Sequence, residues 1–292
     1  MHHRGSGTVS DEANAAQAEF WSGQAGQNWV AKQAMFDGSM APVLDVLLDH
    51  AGLTPGQRVL DIGCGTGASL LQAGRAVGPV GRVLGADISP TMLAMARDRV
   101  AAAGLTHVDC IEADAQTHAF APGTFDRVIS RFGVMFFADP VAAFANIRLA
   151  LAPEGRIAFV CWAGMADNPW FRVPIEAAVS VLGPMPPPEP RAPGPMAFAE
   201  GEYITGILEA AGYGDVSIKT VDLHLTPPGT LADAARFAGR DGPAMRVVQH
   251  HEGSEADIET IFARLMDTLA PFETAGGMRI PGRVHVLSAA RG

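Results

Sequence analysis

The run Val59-Leu60-Asp61-Ile62-Gly63-Cys64-Gly65-Thr66-Gly67-Ala68 constrains this chain more than any other stretch. An apolar strand ends at an acid, three glycines alternate, and a helical segment begins at once. Glycine permits positive φ and leaves no Cβ between a ligand and the backbone. The helix that follows offers unpaired N–H groups and the positive end of its dipole. Such a loop suits a nucleotide-like ligand lying against bare main chain. A turn that held nothing would order three flexible residues at an entropic cost without return.

Around this loop the sequence alternates. Apolar strands are predicted at 58–61, 82–87, 108–112, 125–130 and 156–162, with helices at 69–77, 90–103 and 140–152. Pro90 opens the second of these helices and Gly104 closes it. Strands alternating with helices at this spacing predict an α/β fold with a parallel sheet and helices on both faces. Upstream, Phe20, Trp21, Trp29, Met35, Val43 and Leu47 recur at helical spacing across residues 11–52. Downstream, the proline-dense stretch 184–195 predicts a stiff surface loop. Helices are then expected at 201–212, 231–251 and 255–269, and strands at 216–225 and 283–289. The two late strands fit the end of the same sheet and bring its count to seven. One domain is expected over 11–292: a helical cover (11–52), a cofactor-binding core (53–163), and insertions at 164–200 and 227–278 that cap the substrate. Residues 1–10, polar and without an apolar run, are expected to be disordered and not a secretory signal.

Composition narrows the partners. The net charge of −10 over 292 residues argues against a phosphate-binding face for nucleic acid. It favours a small-molecule substrate. No segment reaches the ~20 apolar residues of a membrane span. Cys64, Cys110 and Cys161 sit in apolar runs without metal-ligand spacing, so no metal is expected. Buried free thiols point to a reducing, cytoplasmic setting. The state of assembly is left open, a homodimer included.

Gly63-x-Gly65-x-x-Ala68 formally fits the dinucleotide fingerprint, and Asp87 ends the second strand about twenty residues further on, where an acid meets ribose hydroxyls. These features alone leave an NAD-dependent oxidoreductase open. More motifs follow in order. Asp61, Gly63, Gly65 and Gly67 form D-x-G-x-G-x-G, and Asp87 continues into Ile88-Ser89-Pro90-Thr91-Met92-Leu93. Glu112-Ala113-Asp114-Ala115 follows strand three, Phe125-Asp126-Arg127-Val128 forms strand four, and Leu151-Ala152-Pro153-Glu154-Gly155 precedes strand five. Over residues 55–165 this set resembles the class I S-adenosylmethionine-dependent methyltransferases. Glu154 replaces a glycine of the family pattern, which affects a turn and not the site.

The resemblance implies a Rossmann-like, doubly wound, mostly parallel seven-stranded sheet with its last strand antiparallel. It implies S-adenosylmethionine as cofactor, held by Asp61 and the three glycines. Asp87 would meet the ribose, Ile88 and Met92 flank the adenine, and Asp114 contact its amino group beside Ala115. Ser130 and Arg131 would lie at the methionine part. Arg131 has three readings: a partner for the methionine carboxylate, a partner for a substrate acid, or a surface residue. Trp29, with Trp21, offers aromatic faces to a sulfonium; helix packing is the competing account. A non-catalytic cofactor-binding protein is a further alternative.

Methyl transfer is an in-line displacement from an already activated carbon. Alignment and desolvation supply most of what it needs, and a base only where the acceptor must lose a proton. His118, His224, His250 and His251 form no recognisable constellation, so no catalytic residue is assigned. Trp162 and Trp170 around Asn168-Pro169 read as a pocket wall or as core. The apolar insertions imply a small, fairly apolar acceptor: quinone-type, lipid-like, an amine or a natural-product hydroxyl.

Overall fold

Val59, Leu60 and Ile62 are all buried, as a strand covered on both faces requires. They form β1 (Arg58–Ile62), an interior strand of the sheet, in a computed structural model that describes residues 9–187 and 189–292. Parallel partners flank it: β2 (Arg82–Asp87) and β3 (Val108–Glu112) on one side, β4 (Phe125–Arg131) and β5 (Leu151–Trp162) on the other. Two longer strands, β6 (Gly214–Leu225) and β9 (Ile280–Ala290), complete the order β3-β2-β1-β4-β5-β9-β6. β9 runs antiparallel to both neighbours. This is the seven-stranded, mostly parallel sheet expected, with its last strand reversed.

Connections run outward in opposite directions from β1. Right-handed crossovers then place the helices of the two halves on opposite faces. α3 (Gln33–Ala51), α4 (Ala68–Val77) and α5 (Pro90–Ala102) cover one face. α6 (Pro140–Ala150) and α8 (Gly201–Ala210) cover the other, where Phe144 meets Phe159, Phe198 and Tyr213. α7 (Pro169–Leu182) packs with α9 (Leu231–Arg240), α10 (Ala244–His250) and α11 (Glu255–Leu269) into a helical layer over one end. α1 (Val9–Ser22) and α2 (Gln24–Ala31) fold onto α5.

Three local expectations change. The single helix over 231–251 is two, because Gly242-Pro243 interrupts it and proline disfavours helix at the residue before it. β5 begins at Leu151 rather than 156, and Pro153-Glu154-Gly155 lies in an irregularity of register opposite Phe125–Arg127. A short hairpin, β7 (Glu273–Thr274) with β8 (Gly277–Met278), precedes β9 unannounced by the sequence. Of the stretch 1–10 expected to be disordered, residues 1–8 lie outside the described residues. Val9 and Ser10 already belong to α1. No described helix is long and apolar enough to cross a membrane. Cys64, Cys110 and Cys161 are buried and unpaired.

The loops after β1 and β4 meet backbone to backbone. A Cβ built on Gly133 would lie 2.7 Å from both the Gly63 Cα and the Ile62 carbonyl oxygen. Neither backbone atom can yield cheaply, so Gly133→Ala should lower stability by about 1–3 kcal/mol through overpacking. Gly206→Ala is the control: it sits in α8 with nothing within 4 Å, and should stabilise by up to about 1 kcal/mol. Urea midpoints of the two ligand-free variants check this pair of opposite signs.

Candidate cofactor site

β1 and β4 are neighbours whose chains leave toward opposite edges of the sheet, and the glycine loop follows β1. In an open α/β sheet this switch point is where ligands bind. Asp87, at the end of β2, organises the loop. Its Oδ2 accepts the Gly65 N–H at 2.7 Å and its Oδ1 accepts the Ser89 N–H at 2.9 Å. Ser89 is the N-cap of α5, where its hydroxyl oxygen accepts the Met92 N–H at 3.2 Å. Capping by Ser89 leaves Asp87 free for the loop.

Asp61 is fully buried, and its Oδ2 accepts the Ser69 hydroxyl at 2.5 Å. Its Oδ1 has no hydrogen-bond partner among the described residues. Burial pushes its carboxyl up to about 7, opposed by the Ser69 bond and by Arg131. Burial also raises Asp87, against the backbone N–H groups that hold it ionised. Ser130 donates its hydroxyl to the Ile62 carbonyl at 2.7 Å and so fastens β4 to β1.

A group of charges sits beside this loop. Arg99 of α5 donates one N–H to the Thr66 carbonyl and another to Asp37 Oδ2 of α3, each at 2.7 Å. Arg131, at the end of β4, approaches Asp37 Oδ1 with its Nη2 at 4.0 Å. Arg131 Nη1, Asp37 Oδ1 and Thr66 Oγ1 are buried and without hydrogen-bond partners among the described residues. Phe132 follows at φ 71°, which is strained for a bulky residue, and its ring stacks on Trp162 at 4.4 Å.

The N-terminal helices strap the site. Asn14 of α1 donates its amide to Asp114 Oδ2 at 2.7 Å. The last carbonyls of α1, from Trp21 and Ser22, accept the hydroxyls of Ser89 and Thr91. Orphan carbonyls of one helix are thereby satisfied at the start of another. Trp21 meets Trp29 and Phe136 edge-on, while Trp29 stacks flat on Phe36 at 3.7 Å.

Asp61, the three glycines, Asp87, Met92, Ser130 and Arg131 therefore converge on the switch point. Ile88 is half-buried beside Asp87, and Met92 reaches toward Gly65. Asp114 and the buried Ala115 follow β3 under α1. Elsewhere, His224 is exposed on β6, and His250 and His251 pack against each other at the end of α10. His118 packs its ring on Phe120. Asn168 spends its amide on the backbone of residues 163, 164 and 283, which makes it a structural knot. No group of three or more metal-ligating side chains occurs among the described residues. Sequence reasoning missed Asn14, Asp37 and Arg99, whose partners lie far along the chain.

Residues 59–155 match the family described as a methyltransferase domain. Aklanonic acid methyltransferase DauC of Streptomyces sp. (strain C5) is 42% identical over 113 residues, covering 39% of this chain and 51% of that protein. Nocamycin O-methyltransferase of Saccharothrix syringae is 33% identical over 201 residues, 68% of this chain and 64% of that one. The chain spans about half to two thirds of the length of these curated relatives. A solved structure of Haemonchus contortus phosphoethanolamine N-methyltransferase 2 in complex with S-adenosyl-L-methionine shares the fold. Its TM-score is 0.53 at 18% identity, over 97% of this chain and 58% of that one. Residues 59–155 of this chain thus carry a methyltransferase domain.

Asp61 ionises at 3.8 when unfolded and at about 7 in the folded chain. A raised carboxyl contributes stability that is full below the unfolded value and is lost as pH rises toward the folded one. Between about pH 5 and pH 8, ligand-free protein should therefore lose about 2–3 kcal/mol relative to Asp61→Asn. Urea unfolding of both proteins across that range measures it, and parallel profiles would refute the assignment.

Proposed function

We propose that this protein transfers the methyl group of S-adenosylmethionine to a small-molecule acceptor by in-line displacement. One observation carries the reading. Two buried atoms of opposite character, Asp61 Oδ1 and Arg131 Nη1, lack partners at the carboxyl ends of the adjacent strands β1 and β4. An α-amino acid end brings an ammonium and a carboxylate, the two charges these atoms suit. Buried polar groups without partners are costly, so a site with both favours a ligand that supplies both. The residues fit the cofactor that the family implies.

Asp61 would hold the ammonium, and Arg131 the carboxylate. The main chain of Gly63, Gly65 and Gly67 would line the loop. Asp87 keeps spare lone pairs for the ribose beyond its two N–H bonds. Ile88 and Met92 would flank the adenine, Asp114 accept from its amino group, and Ala115 lie beside it. Ser130 steadies this end, and Trp29 stands with Trp21 in the aromatic strap. Bound there, S-adenosylmethionine supplies a methyl carbon already activated by a positively charged sulfur. The chain supplies alignment and exclusion of water.

The acceptor is read as fairly apolar, supported by the Phe132–Trp162 stack at the ends of β4 and β5. Residues 11–292 are read as one domain in which 53–163 hold the cofactor. The helices of 11–52, 164–200 and 227–278 cover the acceptor side. Relatives named for aklanonic acid and nocamycin support a natural-product acceptor. A cytoplasmic setting is supported by the three buried, unpaired thiols.

Calorimetry with S-adenosylhomocysteine tests the cofactor. Wild type should bind it, and Asp87→Ala should weaken binding by about 1–3 kcal/mol through lost charge-assisted bonds. Absence of binding at millimolar ligand would sink the reading. Transfer of labelled methyl to a panel of apolar hydroxyl, amine and quinone acceptors then separates an enzyme from a silent binder.

A further inference from the structure

We propose that Asp37 of α3 is a positioning residue, one that holds the Arg131 guanidinium in the site with its Nη1 edge free for the cofactor's carboxylate. The proposal rests on the reading of this site as one for an S-adenosyl amino acid. It assigns a task to a residue that lies outside every glycine-loop and strand-end motif.

Asp37 is held firmly on one side and left open on the other. Its Oδ2 accepts the Arg99 N–H at 2.7 Å and the Gln33 amide at 2.5 Å. Arg99 in turn grips the Thr66 carbonyl inside the glycine loop. The fork of Arg99 therefore fixes Asp37 relative to the loop that would cradle the cofactor. Asp37 Oδ1 makes no hydrogen bond and faces Arg131 Nη2 at 4.0 Å. That spacing gives attraction without using up the guanidinium's donors. One edge of Arg131 turns toward Asp37, and Nη1 remains unpaired.

Arg131 needs this help. Its side chain is 10% exposed, and burial lowers its pKa, while Asp37 and Asp61 oppose that and Arg99 adds to it. Asp37 stands between the guanidinium groups of Arg99 and Arg131. A ligand carboxylate at Nη1 would give this buried guanidinium the hydrogen-bonded partner it lacks. Without the charge on Asp37, Arg99 and Arg131 repel each other, and Arg131 loses the position from which Nη1 would meet a carboxylate.

Two ligands that differ in one group test this. S-adenosylhomocysteine carries the carboxylate, and S-adenosyl-3-thiopropylamine is the same molecule without it. Wild type should prefer the former by about tenfold or more, as a charge-assisted pair would give. In Asp37→Asn the preference should collapse to within about threefold, with affinity for the thiopropylamine within about twofold of wild type. Asp37→Glu should restore most of it. Arg131→Gln should lose the same preference, which keeps the test valid if Asp37→Asn does not fold. A preference retained or enlarged in either variant overturns the proposal. So does an equal loss for both ligands, which would make Asp37 merely structural. So does an unchanged preference paired with a raised KM for an acidic acceptor, which would move the carboxylate to the acceptor. Failure of wild type to bind S-adenosylhomocysteine at all would instead overturn the cofactor reading itself.

Discussion

The contact between Gly63 and Gly133 is the constraint from which the rest of the site follows. It closes the loops after β1 and β4 onto each other at the point where the sheet's strand order turns back. A side chain on either residue would wedge the loops apart. With them closed, the ends of two parallel strands lie side by side, and Asp61 and Arg131 are brought within electrostatic reach. Asp87 then anchors the loop from the other neighbouring strand through the Gly65 N–H. The strain at Phe132 belongs to the same closure, since that residue makes the turn between Arg131 and Gly133.

Four charged groups, Asp37, Asp61, Arg99 and Arg131, gather next to this contact. Burying ions is expensive, and a buried cluster is weak evidence for stability. Its arrangement is more telling than its energy. Arg99 bonds to both the glycine loop and α3, while Asp61 and Arg131 each keep a buried unpaired atom. A cluster selected for stability alone would close those pairs on one another. This one leaves buried polar atoms unpaired at the strand ends, while the N-terminal helices bond to Ser89, Thr91 and Asp114 beside it.

The core from β1 to β5 was legible because its signals are local. Strands buried on both faces read as unbroken apolar runs, and the glycines had to stand at fixed spacing to turn the loop. Asp87 was legible for the same reason, since Ser89 two residues later already served the helix start. What escaped was decided across the chain. Asn14 meets Asp114 a hundred positions away, and Asp37 meets Arg99 sixty-two away. Asp37 sits in a helical stretch whose periodicity says nothing of its partner. The break at Gly242-Pro243 was written plainly, but the apolar period on either side masked it. The irregular start of β5 arose from pairing with β4, which no single strand records.

Two of the three thiols act as separate timekeepers. Cys161 lies near the end of β5 with no exposed surface, and burial holds its ionisation far above the ordinary range. Cys64 sits inside the glycine loop, also strongly raised by burial and by the carboxylates of Asp87 and Asp61. A thiol must be reached and ionised before it reacts. Alkylation of Cys161 would thus record the opening of the whole fold, and alkylation of Cys64 the opening of the loop alone. The chain carries its own internal pair of clocks, one for breathing at the switch point and one for unfolding.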